Sequence, residues 1–151
     1  MTLVEFLRDR LAEDEQIANL ISPGGYQPDV WRVEPSRSGR WSQVVAYSRM
    51  LGESEDDAAR EDDQPVALVQ SGRREDLHIA RHDPARVLAE VEAKRRIVDE
   101  PQPSGNYVYR DDGTPACGTC GDYTVEWPCD TLKLLALPYA DHPDYDPAWR
   151  P

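Results

Sequence analysis

An α+β fold is predicted by three features of the chain. Two stretches carry apolar residues at helical spacing, three short β-branched and aromatic runs lie between turn signals, and a cysteine cluster leads into a last helix. The architecture expected is a small antiparallel sheet packed by an N-terminal and a central helix, with a C-terminal cysteine knuckle and helix. At 151 residues the chain has the length of a single domain, expected to span residues 1–151. Within it, residues 1–100 form the helix–sheet–helix core, 52–64 an acidic mobile loop, and 101–151 the knuckle, helix and tail.

The first helix begins at a capping box. Thr2 and Glu5 are three apart, so hydroxyl and carboxylate can each satisfy a backbone donor of the first turn. Leu3, Val4, Leu7, Leu11, Ala18 and Ile21 follow at helical spacing, which predicts a helix over about 3–21, ended by Ser22-Pro23-Gly24-Gly25. Strands are predicted at 30–34, 42–47 and 65–69, where Val, Trp and Tyr are frequent. Between the last two, Glu53, Glu55, Asp56, Asp57, Glu61, Asp62 and Asp63 face a single Arg60. Such a segment lacks the apolar area to offset its chain entropy, hence the loop.

Leu77 to His82 reads as a short helical turn running into Asp83-Pro84. Asp83 is a helix cap and Pro84 suits the first helical position. Val87, Leu88, Val91 and Val98 form the apolar stripe of the helix that follows, with Glu90 and Lys94 spaced as an ion pair, and Pro101 and Pro103 prevent its continuation. Beyond Gly105 a strand is expected at Tyr107–Tyr109, a turn at Asp112-Gly113, and a second strand at Tyr123–Trp127. Cys129 or Asp130 then opens a helix through Leu132, Leu134, Leu135 and Leu137, which Pro138 kinks or ends. Tyr145 and Trp149 are expected to pin the tail to the core.

Charge and composition exclude several functions. Asp and Glu number 29 against 17 Lys and Arg, for a net charge of −12. That charge repels nucleic-acid backbones and anionic lipids, so neither is expected as a partner. No apolar run reaches the roughly 20 residues of a membrane span, and Met1-Thr2-Leu3-Val4-Glu5 lacks the form of a signal peptide. A cytoplasmic location is expected, where cysteines stay reduced. No glycine loop of nucleotide-binding form is present.

The chemistry-bearing residues centre on Cys117-Gly118-Thr119-Cys120-Gly121. Two cysteines with two residues between them, followed by glycine, have the spacing of a zinc knuckle. Cys129 at a helix start is a third candidate ligand, and His142 is taken as the fourth, with His78, His82 and Asp122 as alternatives. Zinc is thus the candidate cofactor, in a structural role; three unligated thiols and a redox pair of Cys117 and Cys120 are the other readings. His78 and His82, four apart, share a helix face next to Asp83, and with His142 they are a set that metal-dependent hydrolysis could use. The Asp141-His142 pair has no nucleophile motif beside it. No catalytic residue is assigned, and a non-enzymatic accessory or interaction protein with an unknown protein partner is preferred. An acidic mimic of DNA and a small metal-dependent hydrolase are the alternatives.

Two stretches carry a resemblance. His78-Ile79-Ala80-Arg81-His82-Asp83-Pro84-Ala85-Arg86-Val87-Leu88 through Ile97, and Trp127-Pro128-Cys129-Asp130-Thr131-Leu132 through Pro143, resemble a family of small uncharacterised actinobacterial and actinophage proteins. Leu3-Val4-Glu5-Phe6-Leu7 and Glu13-Asp14-Glu15-Gln16 fit the same family. The resemblance implies a domain of unknown function and names no activity.

Overall fold

The computed structural model describes residues 1–20, 27–35, 39–49, 59–60, 66–70, 74–100, 115–120 and 125–151. The mixed α+β architecture is as expected, with the sheet antiparallel throughout. The chain divides into two compact units, one of residues 14–90 and one of residues 1–13 with 91–151. Helix α1 (Leu3–Leu20) opens on the capping box. The Thr2 amide donates to Glu5 Oε2 at 2.7 Å and the Glu5 amide donates to Thr2 Oγ1 at 3.2 Å.

The unit of residues 14–90 holds the sheet. Strands β1 (Gln27–Pro35) and β2 (Trp41–Arg49) pair antiparallel from Pro35 opposite Ser42 to Gln27 opposite Arg49. Gly39 precedes β2 with φ 64°, a left-handed conformation in which a side chain is strained. The other edge of β2 is shared by two short strands, β3 (Ala59–Arg60) against Tyr47 and Ser48, and β4 (Ala67–Gln70) against Trp41 to Val44. Strand β3 lies within the segment expected as an acidic loop. It falls where Ala58-Ala59-Arg60 makes the longest stretch without a carboxylate, so that pairing there brings no acidic residue to the sheet edge. The remainder of that loop, 52–58 and 61–64, lies outside the described residues, as does the stop at Ser22–Gly25.

Val44 and Val45 are both fully buried. Neighbours on a strand point to opposite faces, so the middle of β2 is covered on both sides. Helix α2 (Glu75–Arg81) packs against β1, β2 and β4. The end of α1 and the start of α3 (Pro84–Asp99) meet β1 around Trp31, where Ile17, Ala18, Trp31, Pro84 and Val87 surround a small hollow. Asp83 joins these parts. Its Oδ1 accepts the Arg86 amide at 2.8 Å, as a cap should, and its Oδ2 accepts the Trp31 amide at 3.5 Å. Along α3, Arg86 and Glu90 form an ion pair at 2.7 Å.

The other unit is organised around Phe6, which is fully buried. Trp149, Tyr145, His142 and Tyr139 approach its ring with centroids at 5.0, 5.9, 5.8 and 6.3 Å. The tail is therefore pinned by Tyr145 and Trp149, as their size predicts. Helix α4 (Asp130–Ala136) begins after Cys129 and passes into a 3-10 turn at Leu137–Tyr139, with Pro138 inside it. Of the strand expected at Tyr123–Trp127, the described part makes only an isolated bridge, Glu126 with Ala116. The expected Tyr107–Tyr109 strand and Asp112-Gly113 turn lie outside the described residues. Among the described residues no helix is long and apolar enough to cross a membrane.

Candidate metal centre

Three local structures deliver the cysteines to one place. Backbone hydrogen bonds from Cys117 to the Val125 carbonyl at 2.8 Å and from Trp127 to the Pro115 carbonyl at 2.9 Å fasten residues 115–117 to residues 125–127. Cys117 stands at one end of this ladder, Cys120 in the turn beyond it, and Cys129 at the start of α4. Cys129 is the residue just before that helix, with the extended backbone of a cap. Its carbonyl accepts the amides of Leu132 at 3.0 Å and Lys133 at 3.2 Å. Its sulfur is therefore set by the helix start.

The three sulfurs lie within 4.8 Å of one another. The Cys120 thiol donates to Cys129 Sγ at 3.4 Å, and the Thr131 hydroxyl is 3.8 Å from Cys120 Sγ. Cys117 and Cys129 are 1% and 2% exposed, whereas Cys120 is open to solvent. Burial pushes the Cys117 thiol up, but hydrogen bonds from the Thr119 and Cys120 amides and from the other two cysteines outweigh it, so its net shift is downward. The hydrogen bonds to Cys129 and Cys117, followed by desolvation, push Cys120 up to about 11. The hydrogen bonds of the trio thus favour the thiolate of Cys117 over that of Cys120.

His142 is held by other groups. Arg10 Nη1 lies 2.8 Å from its Nδ1 and 2.6 Å from its Nε2, and the Asp144 amide donates to Nδ1 at 3.1 Å. Binding a cation through this ring means giving up those bonds. Nothing in composition marks this role for Arg10, yet its position does. Leu3, Phe6, Leu7 and Leu11 trace the buried stripe of α1, and position 10 falls on the same stripe. Arg10 is 7% exposed, with its guanidinium carbon 5.2 Å from the Phe6 centroid and Nη2 2.8 Å from Glu13.

The histidine pair shares a face, as its spacing requires. The rings of His78 and His82 are 4.4 Å apart and exposed, and His82 Nδ1 is 2.9 Å from the His78 carbonyl. Asp83 does not complete a catalytic set with them, since both its oxygens accept backbone amides. Asp122 lies outside the described residues.

Compared with known proteins, the chain matches over residues 1–151 the family described as "Family of unknown function (DUF6221)". No curated protein and no solved structure matches it.

Proposed function

The chain belongs to this family of unknown function, and from that premise we propose a non-enzymatic interaction protein whose carboxyl-terminal region is clamped by one zinc ion on Cys117, Cys120 and Cys129. The observation that carries the reading is the convergence of three sulfurs within 4.8 Å. Two thiolates on one tetrahedral zinc, each about 2.3 Å from the metal, are about 3.8 Å apart. Small side-chain adjustments bring the trio to that spacing.

The chemistry of the donors fits a structural ion. Two of the three sulfurs are buried, and the Thr119 and Cys120 amides already point at Cys117, an arrangement that stabilises thiolate charge. Zinc there would tie the knuckle to the start of α4. A reducing, cytoplasmic setting keeps these thiols available. The actinobacterial or actinophage origin belongs to the same reading and rests on the two motifs at residues 78–97 and 127–143. His142, the fourth donor expected from the sequence, is held by Arg10 and Asp144, so the proposed clamp rests on the three cysteines.

Native mass spectrometry of protein purified without added metal tests the reading. One zinc per chain is expected, lost in Cys117→Ser and Cys129→Ser, and a chelator should lower the melting temperature. A protein that neither carries nor takes up zinc, and melts identically with and without chelator, would overturn the proposal.

A further inference from the structure

Within the unit of residues 1–13 and 91–151, a cavity of about 570 Å³ opens among Val4, Glu126, Trp127, Pro128, Ala148 and Trp149. We propose that this cavity binds a basic, proline-containing peptide segment of a partner protein. The prolines would lie on the two indoles, with a lysine or arginine of the peptide reaching Glu126. This goes beyond the zinc reading and does not require it.

Size and lining come first. Ligand pockets span roughly 300–1,000 Å³ and are mostly apolar with a few polar groups. This one exceeds the volume of a single side chain, so it takes a short segment. Two half-buried tryptophans, a proline and the aliphatic Leu3, Val4 and Ala148 form the apolar part. Aromatic-lined grooves suit polyproline segments, whose extended backbone is already ordered before binding.

The walls are set in advance. Trp149 is wedged between Phe6 at 5.0 Å and Tyr145 at 5.6 Å, the latter edge-on at 85°. The Ala148 amide donates to Asp146 Oδ1 at 2.9 Å, and the Trp127 amide donates to the Pro115 carbonyl at 2.9 Å. Fixed walls lower the entropy lost on binding.

Charge selects the sign of the ligand. The start of α1, whose amides would attract an anion, is already occupied by the Glu5 carboxylate, 2.7 Å from the Thr2 amide. Lys133, also on the cavity wall, has its ammonium 3.4 Å from Asp130. Glu5, Glu126 and Asp130 against Lys133 and the N-terminal ammonium that acts on Glu5 leave the surroundings negative, on a chain of net charge −12. Phosphates and nucleic acids are repelled and a cationic segment is attracted.

The test is titration of the full chain with a synthetic peptide of Pro-Pro-Lys repeats. A Gly-Ser-Lys peptide of equal length and charge and benzyltrimethylammonium are the comparators. Binding is read by tryptophan fluorescence and by indole N–H shifts assigned with Trp127→Phe and Trp149→Phe. The proline peptide should bind at least about tenfold more tightly than the glycine-serine peptide. Glu126→Gln should weaken it about fivefold, and Ala148→Trp, which fills the cavity from an exposed position, should abolish it. Far-UV circular dichroism checks that each variant is folded, and Glu126→Gln keeps the test decisive if Ala148→Trp is not. Equal affinity for the two peptides would reduce the site to general charge attraction. Saturable binding of benzyltrimethylammonium without the peptide would make it a small-molecule site. Unshifted indole signals would show that the cavity takes neither, and each of these three results overturns the proposal.

Discussion

The guanidinium of Arg10 meets the ring of His142, Nη1 to Nδ1 at 2.8 Å, across 132 positions of sequence. A guanidinium only donates, so a ring nitrogen of His142 accepts, and that acceptance satisfies the buried cation together with the Glu13 carboxylate 2.8 Å from Nη2. The same ring closes the aromatic cluster on Phe6. His142→Ala should therefore destabilise the chain by about 1–3 kcal/mol, the usual penalty for a buried donor left without its partner. Chemical denaturation checks the magnitude. Zinc content measured on the same variant should be unchanged, because the three cysteines hold the metal without it; loss of zinc would instead assign His142 to the fourth position.

Asp83 serves two elements with one carboxylate, capping α3 through Arg86 and holding the Trp31 amide of β1. Asp83→Ala should cost about 0.5–2 kcal/mol. Asp83→Asn, which keeps an acceptor oxygen, should recover most of it. Equal losses in the two variants by urea denaturation would show that the charge matters, not the hydrogen bonds.

Cys120 is the exposed member of the trio, yet its thiol is pushed up to about 11 by its bonds to Cys129 and Cys117. In metal-free protein its alkylation by iodoacetamide should stay slow at pH 8 and keep rising beyond pH 10, because only the thiolate reacts. Mass spectrometry of digested samples reads the rate at each cysteine. A plateau below pH 9 at Cys120 would mean that the hydrogen bonds within the trio do not persist in solution.

The capping box gives the first turn of α1 a pH dependence. The Thr2 amide, then the Thr2 hydroxyl, hold the Glu5 carboxyl below its ordinary value of 4.5. A carboxyl lowered on folding stabilises above its unfolded value and loses that contribution as pH falls through its folded one. Amide exchange at Glu5 and Phe6 should accelerate below about pH 4.5 relative to the middle of the helix. In Glu5→Gln that extra acid sensitivity should vanish.

Local chemistry determined much of this protein from the sequence alone. Thr2 with Glu5, Asp83 with Pro84, and Pro138 after the leucines of α4 act on backbone groups three or four residues away, so their effects needed no tertiary information. Apolar spacing located both long helices, and β-branched runs located β1, β2 and β4. The spacing of Cys117 and Cys120 likewise implied a knuckle, and the turn into α4 implied that Cys129 would join it.

What only the tertiary structure decided depends on contacts between distant segments. Burial of Arg10 against His142, the two-sided covering of Val44 and Val45, the pairing of Ala59–Arg60 with β2, and the cavity between Val4, Trp127 and Trp149 all join residues far apart in sequence. Periodicity reports which face of an element is apolar, but not which distant element covers it. A polar residue on that face, such as Arg10, acquires its meaning only when the partner arrives. The same holds for Trp127, read as the end of a strand, and Trp149, read as a pin for the tail, until the fold set a cavity beside both.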